Sequence, residues 1–419
     1  MTKLRLFFSF VLGATLAVPS PGQQRELSQR LTLGEALAYA REYSPILQVA
    51  REDVRAAEGN ERTAGLRPNP SFNLNSESYP LYEPAPGPFF NRQELVLTVE
   101  QPIELGGKRR WRQRVASAFR ESVGAEADNT QRLLTLRVQQ AYASVLLAQA
   151  DLGTAQQLLA DYDKVLAVNK VRFENGETSG SELRRAEVER LRFSDDVLLS
   201  ETNLRNAKPA LLTAIGYPTP QMNFEAADSI EVRRVEQKLE QLTEDALRAR
   251  ADMTAQRLRV SQAENGRSLQ KANALPTPSP FFGYKRDFGL NTVALGIRLP
   301  LPLFNRNQGE VARAEAEMRG EQFRLLMTEQ RIRQEVTEAF NNFGTQERRL
   351  REIEGFYLQR ARESRDIAAE SYRLGGVDLL SLLDAQRSYR EIVRTYNRVR
   401  YGAVIARFEL EASVGKELQ

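Results

Sequence analysis

The chain has 419 residues, 41% of them apolar and 27% charged, enough for one or two large cores. Its 59 Lys and Arg nearly cancel its 55 Asp and Glu; the residual +4 is no argument for a nucleic-acid partner. Cys and His are both absent, which removes disulfides, thiol catalysis, Cys/His zinc sites and every His-dependent triad, so neither a metal site nor a cofactor is expected. No internal stretch approaches the roughly 20 consecutive apolar residues of a membrane-spanning helix.

Residues 1–22 read as a signal peptide. Lys3 and Arg5 form a basic start, Leu6 to Val18 an apolar centre, and small residues offer cleavage after Ala17 or Gly22. An uncleaved N-terminal anchor is the competing reading. No Cys follows to carry a lipid. Thr32 and Glu35 then make a capping box for a helix over 33–67, with Leu33, Leu37, Ala40, Leu47, Ala50, Val54 and Ala57 as its apolar stripe. From 71 the period changes to two. Phe72 and Leu74 alternate with polar neighbours over 71–77, and Leu95, Leu97 and Val99 do so over 93–101, which predicts two strands. The Pro-rich, aromatic segment 78–91 between them reads as an exposed loop.

A very long helix follows, over 107–173. Leu134, Val138, Ala141, Val145, Ala148, Leu152, Ala155, Leu159, Tyr162 and Leu166 step by four and three, a heptad seam. At about 1.5 Å per residue the helix is a rod near 100 Å long. Gly176 suits the left-handed position that stops it, and Ser179 with Glu182 caps a second helix over 181–215. Taken alone, this tip is an ordinary αα-hairpin turn.

The second half repeats the first. "EALAYA…RPNPSF" from Glu35 resembles "DALRAR…TPSPFF" from Asp245, and "QPIELGGKR" from Gln101 resembles "LPLPLFNRN" from Leu299. The turn glycines Gly176 and Gly375 and the terminal glycines Gly216 and Gly415 share one offset of 199. Four landmarks in one order mark an internal duplication. Repeat 1 spans 31–217, the Pro-containing connector 218–240 and repeat 2 241–416, the two repeats forming one structural domain. Repeat 2 therefore has a helix over 243–275, strands over 281–287 and 291–299 with a tight turn at Gly289, a long helix over 306–373, a tip at Gly375 with Asp378 as helix cap, and a last helix over 379–414. The fold class is mainly α with a small β part.

The strands are long enough to cross a membrane at a tilt, but a soluble half-buried sheet shows the same alternation. Export and the position of the strands at one end of long rods favour the membrane. Four strands leave two edges that lipid does not tolerate, so a closed barrel needs further copies. Trp111 within the basic run Lys108, Arg109, Arg110, Arg112 and Arg114 reads either as a membrane-interface anchor or as a solvated helix start. Paired carboxylates for glycoside chemistry are not excluded by composition, but the acids sit at helical spacings beside bases, as in Glu182, Arg185, Glu189 and Arg192, the pattern of a solvated helix surface.

An exported, duplicated helix–strand–strand–helix–turn–helix plan resembles the TolC-like outer-membrane factor family over about 31–416. "QPIELGGKR" (101–109) is similar to the segment leaving the barrel in its CzcC-type heavy-metal branch, and "YRLGGVDLLSLLDAQRSY" (372–389) to the family's second periplasmic tip. The resemblance implies a homotrimer in the outer membrane: 12 strands closing one barrel, with long helical hairpins forming an α-barrel tunnel in the periplasm. It implies a passive, non-enzymatic exit duct joined to a periplasmic adaptor protein and an inner-membrane RND-type transporter. Heavy-metal cations are the favoured cargo. Drugs or small organic molecules are the alternative within the family, protein export is a more distant one, and a soluble periplasmic coiled-coil scaffold is the alternative outside it. The family narrows its tunnel with acidic side chains. Asp384 matches one such position, Ser381 replaces a neighbouring acid, and Arg184 or Arg185 is the expected partner of Asp384 in a closed state. The tips at Gly176, Ser179, Gly375 and Asp378 are the expected adaptor contacts.

Overall fold

The protein is described from a computed structural model, which covers residues 27–78, 93–218, 222–229, 231–232, 234–287 and 289–418. The signal peptide and most of the loop at 78–91 lie outside the described residues.

The elements follow in chain order as β1 (Arg30–Leu31), α1 (Leu33–Tyr43), α2 (Pro45–Ala64), β2 (Ser71–Glu77), β3 (Glu94–Glu100), α3 (Lys108–Glu174) and α4 (Gly180–Ile215). Then come β4 (Glu225–Ala226), α5 (Leu239–Ala249), α6 (Ala251–Asn273), β5 (Ser279–Asp287), β6 (Leu290–Arg298) and α7 (Gln308–Glu352). A π-helical turn (Ile353–Tyr357), α8 (Leu358–Arg373) and α9 (Leu379–Val414) complete the chain.

The capping box at Thr32 is present in full, with the Thr32 hydroxyl taking the Glu35 N–H and the Glu35 carboxylate taking the Thr32 N–H. The helix expected over 33–67 is nevertheless broken at Ser44, because Pro45 forces extended backbone on the residue before it. Its counterpart, expected over 243–275, starts earlier, at Leu239, and breaks at Arg250. The N-caps Thr32 and Lys238 and the breaks Ser44 and Arg250 both stand 206 positions apart, so the repeats align here four positions away from the match of Ala36 with Ala246. The long rods are as expected, except that the second carries the π turn between α7 and α8.

The heptad seam of α3 forms the core. Leu134, Val138 and Val145 pack with α1 and α4, and Tyr162 and Leu166 pack with Ala186, Phe193 and Leu382. Near the strands the helical layer runs α2–α3–α6–α7, and towards the tips α4–α3–α9–α8. Its open edges are therefore α2 with α4 on one side and α7 with α8 on the other.

The connector contributes what the sequence did not reveal. Its β4 pairs in parallel with β1, and both rest on the middle of α3. Tyr142 on α3 donates to the Leu31 carbonyl and the Asp228 carboxylate, each at 2.9 Å, and accepts the Ala227 N–H at 3.2 Å. Gln149 holds both backbone groups of Ala226.

The four longer strands form one antiparallel sheet in the order β2-β3-β5-β6. The two hairpins join through β3 and β5, with Val99 opposite Phe282. Gly283 permits this joint: a Cβ there would stand 1.9 Å from the Leu97 carbonyl oxygen.

Candidate functional site: channel wall and tip

The sheet has two chemically different faces. Register places Phe72, Leu74, Leu97, Val99, Phe282, Tyr284, Val293, Leu295 and Ile297 on one of them. Most are strongly exposed, Leu295 at 76% and Phe282 at 65%. Nothing among the described residues covers this face, and so continuous an apolar surface is unstable against water. The opposite face carries Asn73, Asn75, Glu94, Thr98, Glu100, Lys285, Asp287, Thr292 and Arg298. There Arg298 pairs with Glu100 at 2.8 Å and Lys285 pairs with Glu94. An apolar outside with a charged inside is the cross-section of a membrane barrel stave. Among the described residues no helix is long and apolar enough to cross a membrane.

The basic run after β3 is largely committed to backbone. Lys108 donates to the Leu275 carbonyl and Thr277 hydroxyl, each at 2.7 Å, and Arg109 to the Gly65 carbonyl at 2.6 Å. Arg112 holds the Ala64 and Leu66 carbonyls and pairs with Glu104 at 2.6 Å. These cations satisfy carbonyls at and just beyond the ends of α2 and α6. Trp111 is half-buried, with Arg114 over its ring at 4.9 Å.

At the far end the rods turn at Gly176 (φ 74°) and Gly375 (φ 78°), both left-handed. The Ser179 hydroxyl accepts the Glu182 N–H and the Asp378 carboxylate accepts the Ser381 N–H. The full capping box expected at Ser179 is not made, because the Glu182 carboxylate instead takes the Thr178 hydroxyl. The two tips are level and linked. Arg172 donates to the Tyr372 carbonyl at 3.0 Å, and the Tyr372 hydroxyl donates to Asn169. Higher up, Arg387 pairs with the buried Glu189 at 3.0 Å, and Arg390 and Arg394 both reach Asp196. Burial alone would raise the Glu189 carboxyl, but the hydrogen bonds and charge of Arg387 hold it below the usual carboxylate range.

Asp384 is 66% exposed on α9, in line with exposed Ser381, one turn nearer the tip. Within the chain its ion partner is Arg387, at 3.7 Å, not Arg184 or Arg185. Both of those arginines are exposed on α4 and make no ion pair among the described residues. The α4–α9 pairs of Glu189 and Asp196 escaped sequence reading, since each carboxylate sits among bases of its own helix and only packing selects its partner.

A long helical rod tipped by a small sheet with one bare apolar face defines a wall segment of a membrane channel. The Outer membrane efflux protein family matches residues 36–217 and again 242–416, once per repeat, and the chain belongs to that family. The cobalt-zinc-cadmium resistance protein CzcC of Cupriavidus metallidurans is 25% identical over 393 residues, covering 91% of this chain and 88% of the relative. Among solved structures, the outer membrane protein VceC of Vibrio cholerae superposes with a TM-score of 0.75 at 22% identity, covering 92% of this chain and 97% of its own. CusC superposes with a TM-score of 0.79 at 18% identity, covering 96% of each chain. This chain is thus an outer-membrane efflux channel component with its sheet in the membrane and its helices in the periplasm.

Proposed function

We propose that three copies close into one duct that carries heavy-metal cations out of the periplasm. The observation that carries the closure is the sheet: among the described residues it has four strands, an uncovered apolar face and unpaired edges at β2 and β6. The helical layer has edges in the same order, α2 and α4 below β2, α7 and α8 below β6. Joining one edge to the other of the next copy is a heterologous contact, which closes into a ring. Three copies supply 12 strands, enough for a barrel. The cargo reading rests on the likeness to a cobalt-zinc-cadmium resistance protein over nearly the whole chain. The duct performs no chemistry; an RND-type transporter in the inner membrane drives transport, and a periplasmic adaptor meets the tips at Gly176, Ser179, Gly375 and Asp378. Exposed Asp384, with Ser381, lines the constriction, where carboxylates favour cations. In a ring, Arg184 and Arg185 are free to meet the Asp384 of a neighbouring copy.

Deleting the gene and measuring growth tests the cargo. Sensitivity to cobalt, zinc or cadmium, restored by the intact gene, is the expected result. Sensitivity to dyes and detergents without metal sensitivity would move the duct to organic efflux. In planar bilayers, Asp384→Ala should lower cation preference; unchanged conductance and selectivity would remove Asp384 from the constriction.

A further inference from the structure

The second long rod departs from the first at one place, the π-helical turn Ile353–Tyr357. A π turn inserts an extra residue into an α-helix and re-aims the side chains around it. Here it sets two consecutive large aromatics outward, Phe356 at 49% and Tyr357 at 51% exposed. Their rings meet edge to face at 5.2 Å, and the Arg360 guanidinium lies 4.2 Å from the Phe356 ring centre. Among the described residues the knob stays half exposed; the buried side of the turn, Ile353, belongs to the core with Val399 and Ala403.

The opposite edge of the layer carries a matching surface. Leu198 and Leu199 are exposed on α4, with Asp195 exposed one turn nearer the tip. Height decides whether the two can meet. Contacts of Arg172 with Tyr372 and of Glu189 with Arg387 put the two tips of one chain at the same level. Rotation about an axis parallel to the rods leaves height unchanged. Phe356 and Tyr357 lie 17 and 16 residues above the Arg373 end of α8, and Leu198 and Leu199 lie 18 and 19 residues above the Gly180 start of α4. At about 1.5 Å per residue the pairs agree to within about one helical turn. Arg360 falls near Asp195, so charge matches as well as height.

We infer that the π turn is the register key of the assembly: Phe356 and Tyr357 of one copy seat on Leu198 and Leu199 of the next, with Arg360 facing Asp195. This rests on the ring reading above and adds the point at which neighbouring rods are fixed along their length. A smooth coiled-coil edge tolerates sliding by a heptad, whereas an aromatic knob at one height admits a single register. Repeat 1 has no such turn in its long helix, so the knob belongs to one edge only and enforces head-to-tail pairing.

The native absence of Cys makes the test direct. The full-length Leu198→Cys/Tyr357→Cys variant, purified in detergent and treated with a short bis-maleimide, should give covalent dimers and trimers on a denaturing gel. Leu198→Cys/Ile367→Cys, mismatched by about 18 Å in height, should give neither. A trimer by light scattering without links in the matched variant, or with equal links in both, overturns the register key and leaves the duct intact. Links from Tyr357→Cys to a different protein in whole cells, in place of links between copies, overturn it likewise. A monomer in detergent overturns the ring itself. In a parallel measurement, Phe356→Ala/Tyr357→Ala should lower the temperature at which the trimer dissociates while leaving the helical signal of the chain unchanged; an unaltered dissociation temperature counts against the inference.

Discussion

Tyr142 and Arg250 each hold a place where the backbone departs from regular helix. Burial pushes the Tyr142 hydroxyl well up, and the Asp228 carboxylate adds to this against an opposing backbone N–H, so it stays a donor at every physiological pH. Tyr142→Phe removes the shared hydroxyl, while the Ala227 N–H keeps the Leu31 carbonyl and the Leu33 N–H keeps the Asp228 carboxylate, and should cost about 0.5–1.5 kcal/mol. Thermal unfolding measures the loss, and faster proteolysis near Ala227 should accompany it. Arg250, 2% exposed, takes Asp252 at 2.8 Å, Glu335 at 2.6 Å and the Ser413 carbonyl at 3.1 Å. Arg250→Ala leaves Asp252 and Glu335 to Arg331 alone and takes a donor from the Ser413 carbonyl; it should cost about 1–3 kcal/mol, and Arg250→Ala/Asp252→Ala should recover part of that. Burial would raise the Asp252 carboxyl, but Arg250, seconded by Arg132 and Arg331, holds it below its ordinary value. Its contribution to stability is thus complete above the ordinary carboxylate range and is lost as pH falls through the lowered value. An acid titration of unfolding should show this component shrink in Asp252→Asn. Neither residue announced itself in the sequence. Tyr142 lies on the apolar side of a heptad helix beside ordinary core residues, and an arginine in a helical stretch normally reads as surface.

The elements themselves were far more legible. The heptad seam, the period-two strands and the turn glycines each encode local geometry that no distant contact has to supply. The breaks at Ser44 and Arg250 and the π turn were not, for different reasons. Pro45 marks the first break in principle, yet the apolar stripe runs straight through it. The second break has no proline and depends on the buried charges around Arg250. The π turn leaves the heptad pattern on either side readable as plain helix. Caps test the local reading: Asp378→Ala removes the bond to the Ser381 N–H and should cost about 1 kcal/mol at the second tip. The sheet is less forgiving. Gly283→Val would drive a branched side chain into the Leu97 carbonyl and part β3 from β5. Surface-exposed, heat-modifiable protein in outer-membrane fractions should fall sharply; normal levels would mean that the β3–β5 joint yields without harm.

At the scale of the whole molecule, the surfaces left open are those that the proposed ring would close. Its apolar sheet face is exposed, its polar face carries paired charges, and both sheet and helical layer end in open edges. Placing a charge on the lipid side, as in Leu295→Arg, should destabilise the inserted form by about 2–4 kcal/mol near mid-membrane, read as a lower midpoint when the protein is unfolded from lipid vesicles. At this scale the sequence alone reached the fold class and the family resemblance, because duplication and order survive where individual motifs are loose. The tip was legible only as a list of positions. Asp384, Arg184 and Arg185 could be named, but the partner that Asp384 finds within one chain, Arg387, lies one helical turn along its own helix and competes with any partner across the ring.

The junction of β3 with β5 also governs the order in which the chain matures. Val99 and Phe282 are cross-strand neighbours yet stand 183 positions apart, so the first hairpin crosses the inner membrane well ahead of its mate. Contacts of such long range form slowly, and a greasy ribbon left waiting in an aqueous compartment invites aggregation. A period of exposure between the two membranes is thus built into the topology of the sheet.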